Sequence, residues 1–459
     1  YRQGRTRRGS YAAYLDISHP DIMIFLEMRK PTGDPNMRTL NLHHGINITD
    51  DFMHIIEKCM IDHDADDSWE LKDPHDGTVR EVVSAKELWQ QILEMRMHTG
   101  EPYLHFIDSS NRAMPEFQKK LGLSIKQSNL CSEIILPTDK ERTAVCCLSS
   151  VNLEYYDDWK DNGIFLRDVA EMLDNVLQHF IDNAPDSISR ARYSASRERS
   201  IGIGALGWHA YLQKNSIPWE SALAVSANHR IFGHIRSHLD EANMQLGAER
   251  GEAPDAAGTG RRFSHMLAIA PNASSSILMG NTSPSIEPLR ANAYRQDTLS
   301  GSSLNKNKWL DKVIRDYLGK DQESGAVPSG PYADVWSSII ANDGSVQHIE
   351  WMDEWTKEVF KTAMEIDQRW VIQHASDRQQ YIDQAQSLNL FFRPDVNIKY
   401  LHAVHFQAWK QGLKTLYYCR SEKLAKADKV SKRIERQVIQ EINLKALAQD
   451  EDVCLACEG

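Results

Sequence analysis

Hydrophobic positions along the chain switch repeatedly between the two-residue period of strands and the 3.6-residue period of amphipathic helices. Strand-like segments lie at residues 10–17, 39–48, 102–106 and 144–153. Helical periods lie at residues 21–30, 84–97, 168–180, 221–249, 352–374 and 398–409. This alternation predicts an α/β architecture with parallel strands.

The pattern predicts one continuous domain followed by a tail. Residues 254–262 and 300–307 are predicted to be loops, and no internal repeat or low-complexity linker interrupts residues 1–420. From residue 421 to residue 459 the chain is charged and prone to form helices, but it has no clear apolar face. We therefore expect a domain over residues 1–420 and a flexible tail over 421–459.

Composition is that of an ordinary globular protein, with 41% hydrophobic and 25% charged residues in 459. The net charge of −11 argues against a nucleic-acid groove, which requires clustered Lys and Arg. No apolar run approaches the ~20 residues of a membrane span, and no signal peptide is seen, so a cytoplasmic location without membrane contact is expected. The seven cysteines are too sparse for a disulfide framework and fit a reducing compartment.

One short stretch, residues 127–137, carries the densest chemistry. Asn129, Cys131 and Glu133 occupy alternate positions, so in an extended segment their side chains would share one face. A structural cysteine on a core strand is the common fate of such a residue. A core strand rarely holds Asn, Cys and Glu on one face, however, because each polar group needs a buried partner. The spacing therefore favours a site that combines an amide, a sulfur and a proton acceptor.

Two further cysteine pairs are candidate redox groups. Cys146 and Cys147 are either two small strand residues facing opposite ways or a redox thiol and its neighbour, because adjacent cysteines pair only in a strained ring. Cys454 and Cys457 form a CxxC near the end of the sequence, without the further ligands that a zinc site needs. They are either incidental or an arm that exchanges disulfides.

Aromatic and hydroxyl residues supply the last candidates. Tyr417 and Tyr418 end a strand-like run, where aromatic residues are usually core, although a tyrosine can also pass on an electron with its proton. Residues 271–276 place Ser274 and Ser275 where they either cap a helix or bind an anion.

Together these motifs resemble the large (α) subunit of class I ribonucleotide reductase, in particular the Ia-type forms of bacteria and their phages, over essentially the whole chain. The most specific matches are Asn129-Leu130-Cys131-Ser132-Glu133, Leu136-Pro137-Thr138, Ala144-Val145-Cys146, Leu148-Ser149, Ser285-Ile286-Glu287-Pro288, Thr415-Leu416-Tyr417-Tyr418 and the terminal CxxC.

The resemblance implies a ten-stranded α/β barrel of two half-barrels, with a finger loop near residues 127–137 at its centre. It implies reduction of ribonucleoside diphosphates to 2′-deoxyribonucleoside diphosphates for DNA synthesis. Cys131 is then expected to be the thiyl radical that abstracts the ribose 3′-hydrogen. Glu133 is expected to take the 3′-hydroxyl proton, and Asn129 to bind the sugar hydroxyls.

The same resemblance assigns the remaining thiols. Cys146 matches one member of the dithiol that reduces the 2′-position, whereas Cys147 departs from the bacterial pattern, in which Thr follows. Cys454 and Cys457 match the tail dithiol that re-reduces the active site and is recycled by thioredoxin or glutaredoxin.

Radical transfer and substrate binding also follow from the resemblance. Tyr417 and Tyr418 match the pair that passes a radical from a metal-containing small (β) subunit to Cys131, so this chain itself needs no metal and no permanently bound cofactor. Ala273, Ser274 and Ser275 match the turn that binds the substrate diphosphate, although Glu can occur at the Ala position.

Residues 3–9 resemble the loop that carries the allosteric signal, with Gln3 and Arg7 at its contacting positions. The family has further sequence before this loop, including most of the dNTP/ATP effector site and the second active-site cysteine. We therefore expect a separate N-terminal α fragment as a partner, together with a second α chain.

Three alternatives remain at this stage. A cobalamin-dependent reductase is disfavoured by the tyrosine pair, and a glycyl-radical enzyme by the lack of a C-terminal glycyl-radical loop. The third is a non-catalytic α-like chain that only docks partner subunits, for which the apolar helix at residues 398–409 offers a surface.

Overall fold

The computed structural model describes residues 2–3, 7–298, 301–319 and 331–421. The strands are β1 (Arg2–Gln3), β2 (Arg7–Arg8), β3 (Ala12–Asp16), β4 (His43–Ile48), β5 (Ser68–Lys72), β6 (Val79–Ser84), β7 (Tyr103–Phe106), β8 (Leu148–Asn152), β9 (Gly202–Leu206), β10 (Ala293–Thr298), β11 (Gly301–Lys306), β12 (Leu390–Phe392), β13 (Thr415–Leu416) and β14 (Cys419–Ser421). Cys454, Cys457 and the side chains of Gln3 and Arg7 lie outside this description.

The helices alternate with the strands. They are α1 (Ile22–Glu27), α2 (Asp50–Ile61), α3 (Ala85–Thr99), α4 (Ile107–Ala113), α5 (Glu116–Lys120), α6 (Tyr156–Trp159), α7 (Phe165–Asn183), α8 (Ser189–Glu198), α9 (Trp208–Lys214), α10 (Ala222–Arg250), α11 (Ala273–Leu278), α12 (Lys308–Leu318), α13 (Pro331–Ala341), α14 (Glu354–Val359), α15 (Gln368–Gln379) and α16 (Ile398–Lys410). Short 3₁₀ helices lie at Pro35–Met37, Leu153–Tyr155, Asp186–Ile188 and Pro254–Ala256.

Parallel pairing dominates the sheets that position the site. One sheet has the order β13-β7-β4-β3, in which β3, β4 and β7 are parallel and β13 is antiparallel to β7. Strands β8 and β9 form a second parallel pair, and β12 and β14 a third. The predicted α/β architecture with parallel strands is therefore confirmed.

Local capping explains why the helices start and stop where they do. The Ser84 hydroxyl accepts a hydrogen bond from the Glu87 amide at the start of α3, and Gly100 ends this helix in the left-handed conformation. Thr49 caps α2 in the same way. The apolar faces of both helices lie in one large core, together with buried residues of β4 and β7 such as Ile46 and Leu104.

Two element predictions are wrong. The helix predicted at residues 352–374 is two helices, α14 and α15, because Asp353 and Asp367 each cap a separate helix start. The loop predicted at residues 300–307 contains β11, which pairs antiparallel with β10. Both strands of this hairpin are largely polar, so their sequence shows little apolar alternation. None of the described helices is long and apolar enough to cross a membrane.

Candidate active site

The tip of the finger loop is a tight turn rather than an extended segment. The Ser132 amide donates to the Asn129 carbonyl at 3.3 Å, and Ser132 has a positive φ of 66°. The Asn129 side-chain oxygen also accepts a hydrogen bond from the Ile134 amide at 3.1 Å. The expectation of strict strand alternation is therefore wrong, because the asparagine side chain stabilises a turn in place of strand pairing.

The turn brings the Asn129 amide and the Glu133 carboxylate together. Asn129 Nδ2 donates to Glu133 Oε2 at 2.9 Å. Glu133 is almost fully buried, with 2% of its surface exposed. Burial raises the pKa of Glu133 to about 7, against the lowering effect of the hydrogen bonds from Asn129 and Ser387. A carboxylate with this pKa is suited to accept a proton near neutral pH.

A segment far along the chain supports the turn. The Ser387 hydroxyl donates to the Cys131 carbonyl and lies 3.3 Å from Glu133 Oε2. The Ala385 amide donates to the Glu133 carbonyl at 2.9 Å. Buried Lys414 in turn donates its Nζ hydrogens to three backbone carbonyls at residues 382–384. The carbonyls of Cys131 and Glu133 are thus held by residues 385–387, and Lys414 holds the backbone just before that segment.

Tyr14 of β3 also contacts the loop. Its hydroxyl donates to the Asn129 carbonyl at 2.8 Å and lies 3.4 Å from the Ser132 hydroxyl. Burial raises the pKa of Tyr14 well above its usual range. Gly45 of β4 makes room for the ring, because a Cβ at that position would lie 2.4 Å from a Tyr14 ring carbon.

Cys131 packs against an aromatic cluster that contains both predicted relay tyrosines. Tyr417 and Tyr418 lie with ring centroids 4.3 Å apart, and Tyr103 of β7 lies 4.8 Å and 5.1 Å from them. Cys131 and Tyr14 are partly buried members of the same cluster. Residues predicted from separate motifs are therefore assembled around one thiol.

The adjacent cysteines face opposite environments. Cys147 is buried, with its thiol directed at the Leu173 carbonyl of α7 at 3.7 Å, and burial raises its pKa to about 11. Cys146 is exposed as a residue, whereas burial around its thiol, and then the charge of Glu133, raise the pKa of that thiol far above the usual range. Of the two, Cys146 is the thiol that faces the Glu133 side of the loop.

The remaining predicted residues lie on neighbouring elements. Ala273, Ser274 and Ser275 form the first turn of α11. The preceding Asn272 donates to the Ser150 hydroxyl of β8 at 2.9 Å, which fixes this turn to the strand that follows Cys146. The backbones of Gln3 and Arg7 are direct partners in the β1–β2 hairpin.

Sequence reasoning missed four residues that build the site, namely Tyr14, Tyr103, Ser387 and Lys414. Tyr14 and Tyr103 were part of apolar strand patterns, and nothing local distinguishes them from core aromatics. Lys414 directly precedes the Thr415-Leu416-Tyr417-Tyr418 run. Its charge within an otherwise strand-like segment was the one sequence signal that could have identified it. Ser387 carries no local signal.

Within the described residues, no group of three or more His, Cys, Asp or Glu side chains is arranged to hold a metal ion.

Comparison with known proteins shows which family has this fold. The family described as "Ribonucleotide reductase, barrel domain" matches residues 1–259 and 253–419, which is nearly the whole chain. The α subunit of the class Id ribonucleotide reductase of Actinobacillus ureae has a similar structure, with a TM-score of 0.77 and 35% identity over 90% of this chain and 71% of that one.

Curated relatives agree with the family. The ribonucleoside-diphosphate reductase large subunit of Invertebrate iridescent virus 3 is 49% identical over 100% of this chain and 78% of its own length. The putative large subunit of Frog virus 3 is 50% identical over 92% of this chain and 72% of its own length. The chain therefore belongs to the ribonucleoside-diphosphate reductase large-subunit family, whose members are oxidoreductases of deoxyribonucleotide synthesis. These relatives are viral but not of phages, so the Ia-type bacterial or phage subclass stays a prediction.

Proposed function

We propose that this chain reduces ribonucleoside diphosphates at the finger-loop tip by a thiyl-radical mechanism. The observation that carries the proposal is the position of Cys131, between the tyrosine cluster and the Asn129–Glu133 pair. A radical residue needs a route for the electron on one side and a bound sugar on the other. The turn at Cys131 provides both from one short segment.

The radical reaches Cys131 through the tyrosine pair. Tyr418 or Tyr417 would lose one electron and one proton to a metal-radical small subunit. The oxidised tyrosine then takes the hydrogen atom of the Cys131 thiol, which leaves the thiyl radical. The 4.3 Å separation of the two rings supports electron transfer between them.

The thiyl radical abstracts the 3′-hydrogen of the ribose, and Glu133 accepts the 3′-hydroxyl proton. A carboxylate with a pKa of about 7 is partly ionised at neutral pH and returns the proton readily. The Asn129 amide orients Glu133 and is placed to contact the sugar hydroxyls. Both roles require the two side chains to reach one ring, which their 2.9 Å hydrogen bond supports.

Reduction puts a hydrogen in place of the 2′-hydroxyl, which leaves as water, and this takes two electrons and two protons. Cys146 supplies one of each and a second thiol supplies the others, so that the two sulfurs end as a disulfide. The other cysteines among the described residues are placed elsewhere: Cys59 is buried on α2, Cys419 is buried in the main core, and Cys147 faces α7. We propose that none of these three cysteines is the second thiol. Cys454 and Cys457 then re-reduce the disulfide and are recycled by thioredoxin or glutaredoxin.

Substrate and effector contacts complete the proposal. Ala273, Ser274 and Ser275 bind the substrate diphosphate at the first turn of α11, chiefly through backbone N–H groups. Gln3 and Arg7 carry the effector signal to the base, and a second α chain completes the assembly. The pairing of Gln3 with Arg7 in one hairpin supports a joint role.

The test is nucleoside-diphosphate reduction with this protein as the α subunit, a small subunit and a dithiol reductant. We expect product from the wild type and none from Cys131→Ser. Cys59→Ser is the matched control, because Cys59 is buried in α2, and it should retain activity. Activity of Cys131→Ser would overturn the radical assignment.

A further inference from the structure

A buried carboxylate lies beside the tyrosine cluster. Glu101 has no exposed surface, and its carboxylate contacts two adjacent histidines of β4. His43 Nδ1 lies 2.6 Å from Oε1, and His44 Nδ1 lies 3.1 Å from Oε2, which also accepts the His44 backbone amide. Arg29 Nε lies 3.3 Å from the same carboxylate. These partners hold the pKa of Glu101 at about 2, so the carboxylate is ionised.

An ionised carboxylate at this distance fixes the tautomer of His43. The carboxylate is an acceptor only, so the proton of the contact must be on Nδ1 of the histidine. The same Nδ1 lies 3.2 Å from the Tyr103 hydroxyl and 3.5 Å from the Tyr418 hydroxyl. The ring of His43 also stacks on Tyr103 at 6.2 Å. The His43 N–H is therefore donated to Glu101, its nearest acceptor, and the two phenol oxygens lie beside this N–H at longer range.

We propose that His43, oriented by Glu101, is a positioning residue of the radical relay that sets how easily the Tyr418 phenol loses its proton. This inference rests on the relay proposed above. The positive end of an N–H dipole beside a phenol oxygen favours the ionised form of the phenol and so lowers its pKa. Because oxidation of a phenol releases its proton as well as an electron, the same dipole affects transfer through Tyr418.

His44 provides a natural control. Adjacent residues of a strand point to opposite faces of the sheet. His44 contacts the same carboxylate as His43, but its ring packs against Phe25 of α1 at 5.0 Å instead of against the tyrosines. Replacing His44 disturbs Glu101 without removing the N–H group beside Tyr418.

The experiment places 3-nitrotyrosine at position 418 and follows its phenol titration by visible absorption. We expect His43→Phe to raise the phenol pKa by about one unit, which is tenfold in the ionisation constant. His44→Phe should leave it nearly unchanged, and His43→Asn, which keeps an N–H donor, should restore most of the effect. None of these variants replaces the other charged groups that face this site. These groups are Arg29, Glu101 and the Arg420 guanidinium, which lies 4.3 Å from the Tyr418 ring.

Equal titration in the His43→Phe and His44→Phe proteins would overturn the inference. If His43→Phe does not fold, as judged by circular dichroism, His43→Leu replaces it in the same comparison. The titration needs no turnover, so its outcome is independent of the activity assay that tests the proposed function. In active enzyme, His43→Phe should also move the pH profile of turnover, which His44→Phe should not.

Discussion

The Asn129 amide and the Glu133 carboxylate are joined by a 2.9 Å hydrogen bond across the turn that carries Cys131. The bond is donated to the charged form of Glu133, so it opposes the effect of burial on the Glu133 pKa. Asn129 therefore fixes the position of the Glu133 carboxylate and favours its ionised form, and Glu133 in turn fixes the Asn129 amide.

Replacing Asn129 by Ala should move the acid limb of the pH–rate profile to higher pH. Loss of the donor raises the Glu133 pKa above about 7, so less of the base is ionised at any given pH. The measurement is kcat/KM for nucleoside-diphosphate reduction between about pH 6 and 9. Asn183→Ala, at the exposed end of α7, is the control. A limb that stays in place or moves to lower pH would show that the amide does not tune this base.

Replacing Glu133 by Gln should lower turnover by about 10²–10⁴-fold, the usual contribution of a positioned proton acceptor. The amide of Gln keeps the size and hydrogen-bonding capacity of the side chain but cannot accept the substrate proton. Single-turnover product yield measures the effect. A loss of less than tenfold would assign the proton to another group.

The same Glu133→Gln change should stabilise the protein, and more so as the pH rises. The folded pKa is raised from 4.5 to about 7, so the wild type loses stability between these pH values, because the carboxyl ionises in the unfolded chain while the buried one stays protonated. The shift corresponds to about 3 kcal/mol at pH 8, and this penalty is absent in the variant. Denaturant unfolding at pH 5 and pH 8 measures it. A stability difference that does not grow with pH contradicts the raised pKa.

Replacing Ser387 by Ala should lower turnover more than Ser376→Ala does, although both changes should lower the stability by a similar amount. The change removes the hydrogen bond to the Cys131 carbonyl, which costs about 1 kcal/mol of folding free energy, and it frees the turn that presents the thiol. Ser376→Ala on α15 loses a comparable bond to the Gln411 carbonyl, away from the loop. Thermal unfolding and turnover of both variants are compared. If the two lose activity equally, Ser387 has no special role at the site.

Replacing Gly45 by Ala should displace Tyr14 from the finger loop. The new methyl group would lie 2.4 Å from the Tyr14 ring, and such overpacking costs about 1–3 kcal/mol. Gly233→Ala in α10 is the matched control, because its methyl group has only ordinary contacts at 3.6 Å and a helix favours Ala. We expect lower stability and turnover for Gly45→Ala and neither loss for Gly233→Ala. An unchanged unfolding temperature for Gly45→Ala would contradict the close packing.

The α/β architecture was predictable because it depends on local periodicity and caps. The strand and helix around Thr49 and the helix between Ser84 and Gly100 follow directly from such signals. The hairpin of β10 and β11 was not predictable, because its strands are polar and are defined by pairing with each other.

The site itself was only partly predictable. The sequence identified Cys131 and its polar neighbours, but the turn that arranges them depends on Ser387, 256 residues further along the chain. The shared environment of Cys131 and Tyr417 is also a product of the fold, since their motifs have no sequence relationship beyond their order.

The most direct test of Cys131 as the hydrogen-abstracting radical is the isotope effect on nucleotide reduction with substrate deuterated at the 3′-position of the ribose. The assembled enzyme should show a primary isotope effect on kcat/KM, and Cys131→Ser should give no product from either substrate. Reduction at equal rates with both substrates, or any product from Cys131→Ser, would contradict the account.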